Sequence, residues 1–142
     1  RGDQVLKLAG VQNWSNRRNF ARYGNLEKTL NGISDDELTI LMSHDPSHWK
    51  GQVLSFPNHV DLTLSGHTHG FQFGVKIPGF KWSPVQYVYK EWSGHYEELQ
   101  QSLYVNTGLG FIGYPGRVGI LPEITMIELK GSDEKKFDQL RT

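Results

Sequence analysis

Two apolar runs, Leu38–Met42 and residues 60–64, each stop at a polar turn that carries histidine, with about 16 residues between the runs. The first run is almost unbroken. In the second, Val60, Leu62 and Leu64 alternate with polar residues. Both patterns predict strands. The spacing suits the crossover that joins parallel strands and is too long for a tight hairpin. Parallel neighbours lie about 4.8 Å apart. The turns Ser43-His44-Asp45-Pro46 and Gly66-His67-Thr68-His69-Gly70 therefore meet at one end of one sheet. That carboxyl end is where open α/β sheets place their ligands.

The remaining chain adds short elements. Residues 5–11 are apolar and predict a strand. Residues 12–24 carry Arg17, Arg18 and Arg22 and read as a solvated loop or short helix. Asn25 suits the cap of a short helix with Leu26, Leu30 and Ile33 on its apolar side. Ser34-Asp35-Asp36-Glu37 has the spacing of a capping box, with room for one turn only. Residues 47–56 read as a short helix. Residues 70–94 are rich in Gly, Pro and aromatics and show no period. Residues 95–99 and 103–106 predict a hairpin, 107–123 a long loop, and 124–129 a final strand, followed by a charged, frayed tail.

Composition narrows the function classes. The 142 residues suit one domain, 1–142. Lys plus Arg is 15 and Asp plus Glu is 15, so there is no basic excess and no nucleic-acid partner is expected. No apolar run approaches the ~20 residues of a membrane span. The absence of cysteine excludes disulfides and thiolate metal sites. The chain opens on Arg1 rather than Met, directly before a strand, and so reads as a piece of a longer protein.

Neutral imidazole is a ligand for borderline divalent metals. Glycines flanking His67-Thr68-His69 let the backbone turn sharply, so His44, His67 and His69 are the candidate metal ligands. His48, His59 and His95 lack such context and read as ordinary surface or partly buried residues. Three histidines alone suit a single zinc. Phosphate chemistry calls for carboxylates that hold two cations. Asp45 and Asp61 are the nearest. Asp45, before Pro46, reads instead as a helix cap, and Asp61 as facing away.

Gly66-His67-Thr68-His69 resembles the last signature of the calcineurin-like metallophosphoesterases. Leu41-Met42-Ser43-His44-Asp45-Pro46 resembles the preceding histidine motif of the bacterial members. Residues 103–110, Pro115-Gly116-Arg117 and Pro122-Glu123-Ile124 match that branch's closing segment in order. The resemblance covers about residues 5–130. It implies an α/β fold with a mixed sheet and few short helices, one half of a four-layer αββα sandwich. It further implies a C-terminal part of a phosphohydrolase whose two divalent metals, of the Mn, Fe or Zn class, activate a hydroxide against a phosphomono- or phosphodiester. His44 and His67 would bind one metal and His69 the other, with at most partial occupancy in this chain. The family's earlier motifs, Asp-x-His, Gly-Asp-x-x-Asp and Gly-Asn-His-Asp/Glu, are absent: Leu6 stands where Gly2-Asp3 would need its second Asp, and Leu26 follows Gly24-Asn25. The chain alone is therefore expected to be inactive, and no catalytic residue is assigned in it.

Arg117 is a candidate to grip a substrate phosphate. Phe80, Trp82, Tyr87, Tyr89, Trp92 and Tyr96 are expected to form a cover packed on the sheet rather than a wall for an apolar phosphoester. The expected partners are a phosphoester substrate, the protein's own N-terminal half and, for the chain by itself, a second copy in a twofold dimer. A bacterial parent anchored in a membrane by an N-terminal helix fits the same branch. The competing reading is a non-catalytic binding or assembly module whose histidines hold one metal or none.

Overall fold

The computed structural model describes residues 5–17, 20 and 22–130. Arg1-Gly2-Asp3, Arg18 and the charged tail past Lys130 lie outside the described residues. In chain order the elements are β1 (Leu6–Gly10), α1 (Leu26–Leu30), β2 (Leu38–Met42), α2 (Ser47–Gly51), β3 (Leu62–Ser65), β4 (Val75–Ile77), β5 (Phe80–Trp82), β6 (Gly94–Glu98) and β7 (Gln101–Val105). One sheet has the order β1-β2-β3-β7-β6. Its first four strands are parallel, and β6 runs antiparallel to β7. The fold is thus α/β, with a mixed sheet and few short helices. The strands β4 and β5 form a separate two-stranded hairpin.

One face of the sheet carries the core. Ala9, Leu41, Leu103 and Val105 point into a cluster with Leu26 and Leu30 of α1, Trp49 of α2, Val53 and Val60. The Asn25 side chain accepts from the Lys28 N–H at 2.8 Å, which starts α1 and so aims Leu26 and Leu30 at the sheet. The other face is different. The register pairs Leu6 with Leu38, Leu8 with Ile40 and Ile40 with Leu62, so these residues share one surface. Leu8 is 60% exposed there and Met42 48%. Ile127 to Lys130 run beside it, sharing a groove with Leu38, Ile40, Leu62 and Tyr104.

Several sequence expectations are corrected. Residues 124–129 form no strand. They follow β7, but β3 and β6 occupy both of its edges, so no ladder is available. Side chains hold the segment instead: Asn106 Nδ2 donates to Thr125 Oγ1 at 2.8 Å, and Glu123 accepts from Tyr104 Oη at 2.5 Å. Residues 34–37, by contrast, close as the single turn that their capping-box spacing allowed, with Glu37 reaching back to the Ser34 N–H before β2 begins. Residues 12–17 are not simply solvated: Trp14 is buried and stacks on His48 at 4.9 Å. Most of the aromatic segment does not cover the sheet. Tyr89 and Trp92 are buried with Val85 and Ile120 in a second cluster, while Phe80 and Tyr87 are exposed. Tyr96 alone of the six packs against the sheet's core.

The β6–β7 hairpin turns on Leu99 and Gln100, with φ of 52° and 61°. Two consecutive left-handed residues define the turn that Asn-Gly prefers. The double substitution Leu99→Asn, Gln100→Gly is expected to raise stability by about 1 kcal/mol. A higher urea midpoint with an unchanged slope checks this.

Candidate metal centre

The ladder itself brings the two histidine turns together. Beyond the ends of β2 and β3, Ser43 N–H donates to the Leu64 carbonyl at 2.9 Å and Gly66 N–H to that of His44 at 3.1 Å. The imidazoles therefore face each other: His44 Nε2 lies 3.1 Å from His67 Nδ1, with ring centroids 4.9 Å apart. The turn from His67 is strained. His67, His69, Gly70, Phe71 and Gln72 all have positive φ, so four side-chain-bearing residues take a conformation that normally favours glycine. Thr68 Oγ1 anchors the turn by donating to the Trp92 carbonyl at 2.8 Å.

Behind His67, its Nε2 lies 3.0 Å from Tyr89 Oη, and the Tyr89 hydroxyl donates to Asp45 Oδ2 at 3.2 Å. Asp45 is buried, and its Oδ1 accepts the Ser47 N–H at 2.8 Å, although Pro46 rather than Asp45 stands at the N-cap of α2. Burial holds the His67 imidazole below its ordinary pKa; Asp45 pulls it back up, and His44, His69 and Arg17 press it down again. Burial, with Asp45 adding to it, pushes the Tyr89 hydroxyl up to about 12. His69 is also lowered, by burial and then by the Arg117 charge. Its Nδ1 is buried and has no hydrogen-bond partner among the described residues. Neutral imidazoles with available lone pairs are what a divalent cation requires.

Among curated proteins, two vertebrate ones named "Transmembrane protein with metallophosphoesterase domain" are similar to this chain. The Bos taurus protein is 33% identical over 134 residues, 92% of this chain and 29% of its own length. The Danio rerio protein is 34% identical over the same shares. The Bacillus subtilis metallophosphoesterase YkuE is 38% identical over 108 residues, 75% of this chain and 36% of its own length. The chain belongs to the metallophosphoesterases. Its relatives are vertebrate as well as bacterial, so the likeness extends beyond the bacterial branch. The chain spans about a third of the length of these relatives. No family model matches it, and no solved structure matches it significantly.

The donors of this metallophosphoesterase stretch fit part of a metal centre. Two imidazole nitrogens bound to one tetrahedral cation stand about 3.3 Å apart; His44 Nε2 and His67 Nδ1 are separated by 3.1 Å. The buried, unpartnered His69 Nδ1 is a further available donor. Yet no group of three or more His, Asp or Glu side chains close enough to hold a metal occurs among the described residues. His69 does not join the His44–His67 pair in one cluster.

The other candidates take structural places. His48 is fully buried between Ser43 Oγ at 2.8 Å and Gln52 Oε1 at 3.0 Å. His59 lies 3.6 Å from Asp61, and His95 bonds Ser102. Asp61 Oδ2 accepts the Thr39 N–H at 2.7 Å, at the far end of β2 from His44. Arg117 donates to the carbonyls of Thr107 at 2.9 Å and Gly110 at 2.6 Å, clamping the 107–121 loop beside His69. Sequence reasoning missed Tyr89 as a partner of His67, because an aperiodic aromatic stretch singles out none of its members. It missed Gln72 for want of any local signal.

Proposed function

We propose that this chain is the C-terminal part of a metal-dependent hydrolase of phosphomono- or phosphodiesters. The observation that carries this reading is the facing pair His44 Nε2 and His67 Nδ1, 3.1 Å apart at the ends of two parallel strands. His44 and His67 would hold one divalent cation of the Mn, Fe or Zn class, and His69 a second. The remaining donors would come from the part of the relatives' length that this chain does not span. Such a pair of cations, when bound, makes water a nucleophile at neutral pH and stabilises the attacking and leaving oxygens. The chain's own residues orient the imidazoles, and burial favours the neutral forms of His67 and His69. Arg117 adds positive charge beside His69, although most of its N–H groups already serve the loop.

The exposed Leu8 and Met42 give the sheet an uncovered apolar face. We assign that face to the protein's N-terminal half; without that half, two copies of the chain would pair through it. Two relatives are named transmembrane proteins. No helix among the described residues is long and apolar enough to cross a membrane, so an anchor would lie elsewhere in the whole protein.

Hydrolysis of a chromogenic bis-aryl phosphate tests the reading. The whole protein should turn over with manganese and stop on chelation, while the 142-residue chain alone should show no turnover. Turnover that survives chelation, or turnover by the chain alone, would defeat it. A whole protein that binds metal without any hydrolysis would favour the non-catalytic module.

A further inference from the structure

We propose that Asp45 and Tyr89 form a relay that fixes His67 in the tautomer protonated at Nε2, so that its Nδ1 lone pair is aimed at the gap shared with His44. The purpose of this relay rests on the reading of His67 as a metal ligand; the relay itself follows from counting donors. Tyr89 has one hydroxyl proton. An Asp45 carboxylate can only accept, and its Oδ2 lies 3.2 Å from Tyr89 Oη. The tyrosine proton therefore goes to Asp45. The Tyr89 oxygen is left with lone pairs, and one of them faces His67 Nε2 at 3.0 Å. Nε2 must then carry the hydrogen. In a neutral imidazole the other nitrogen is bare, and that nitrogen is the one 3.1 Å from His44.

The relay is rigid as well as directional. Asp45 is only 1% exposed, and its second oxygen is tied to the start of α2 through Ser47. The Tyr89 ring is held between the Arg17 guanidinium, 5.1 Å from its centroid, and the edge of His67. Phe20 packs edge-on against His67 from another side. A metal ligand whose far nitrogen is bonded in this way keeps both its tautomer and its ring orientation. Loss of such a partner typically costs about 10- to 100-fold in metal affinity. Asp45 and Tyr89 are positioning residues, since neither touches the gap between the two histidines.

The experiment uses the full chain labelled with 15N-histidine, with metal removed. Long-range 1H–15N spectra read which nitrogen of His67 is protonated. The wild type should show Nε2–H. In Asp45→Asn the amide oxygen can keep the Ser47 bond while the amide N–H faces Tyr89. The tyrosine then donates to His67 Nε2, and the proton moves to Nδ1. The tautomer should invert, and zinc affinity measured by calorimetry should fall by about 10- to 100-fold. Tyr89→Phe keeps the ring and removes the hydroxyl, so it should give a mixture of tautomers, and it carries the test if the asparagine variant does not fold. Nδ1–H in the wild type, or an unchanged tautomer in both folded variants, would overturn the relay. The predicted tautomers, together with a metal affinity of the whole protein that His67→Ala leaves unchanged, would uphold the relay and defeat the ligand reading.

Discussion

His67→Ala in the whole protein should lower metal-dependent phosphoester hydrolysis by about a hundredfold or more, and should lower bound metal in parallel. The substitution removes the nitrogen that faces His44 and leaves Nε2 of His44 opposite an empty space. The His67 side chain is 16% exposed, so the truncation also costs some packing, while the strained φ of 65° burdens alanine about as much as histidine. His67→Gly separates the two effects: it relaxes the backbone and should restore any lost stability without restoring turnover. Metal content by elemental analysis, together with kcat/KM, checks both. A near-wild-type rate would remove His67 from the centre.

Gln72→Met should destabilise the chain by roughly 3 kcal/mol, a larger change than the hairpin substitution at Leu99 and Gln100 brings. Gln72 is fully buried, and its amide bonds three loop groups: it donates to the carbonyls of Tyr114, at 2.9 Å, and Gly116, and accepts from the Ile112 N–H. Its own carbonyl accepts from Tyr114 Oη at 3.0 Å and from Val118 N–H at 2.7 Å. Methionine keeps the length and loses every side-chain bond. Each group left buried without a partner costs about 1–3 kcal/mol, less where water reaches the loop. The loop has no slack to compensate. A Cβ on Gly119 would stand 1.8 Å from the Gly74 carbonyl oxygen, so the two backbones already touch. Urea unfolding measures the loss; a change below about 1 kcal/mol would mean that Arg117 alone holds the loop.

The frame of this fold is legible in the sequence because its strands are short, apolar and bounded by turns. Leu38–Met42 and Leu62–Ser65 lie where the apolar runs fall, and the crossover between them dictates a parallel pair. The proximity of His44 and His67 follows from that pair, since the ladder continues into both turns. What could not be read is long-range pairing of polar groups. Tyr89 meets Asp45 across 44 residues, and Gln72 meets Gly116 across the same separation. The failed final strand at 124–129 has a similar cause: its residues suit a ladder, but the free edges belong to β1 and β6, away from β7. The strain at 67–72 was legible only as a glycine-flanked turn, whereas the positive φ values fall mostly on His67, His69, Phe71 and Gln72.

The unequal lengths of the connections set an order in which the molecule can assemble. The β6–β7 hairpin closes over Leu99 and Gln100, a local event on the scale of about 1–10 μs. β3 must find β7 across roughly 35 residues, and parallel pairings over such distances are slow because loop entropy is lost before any contact forms. The turn bearing His67 and His69 sits at the start of that long connection, immediately after β3. The β2–β3 ladder brings it beside His44, but its bonds from Thr68 to Trp92 and from His67 to Tyr89 lie within that connection, so its donors reach their final places only once the connection has folded. A cation present during refolding meets scattered histidines at first and can only trap the finished sheet, so it should slow unfolding far more than it speeds folding.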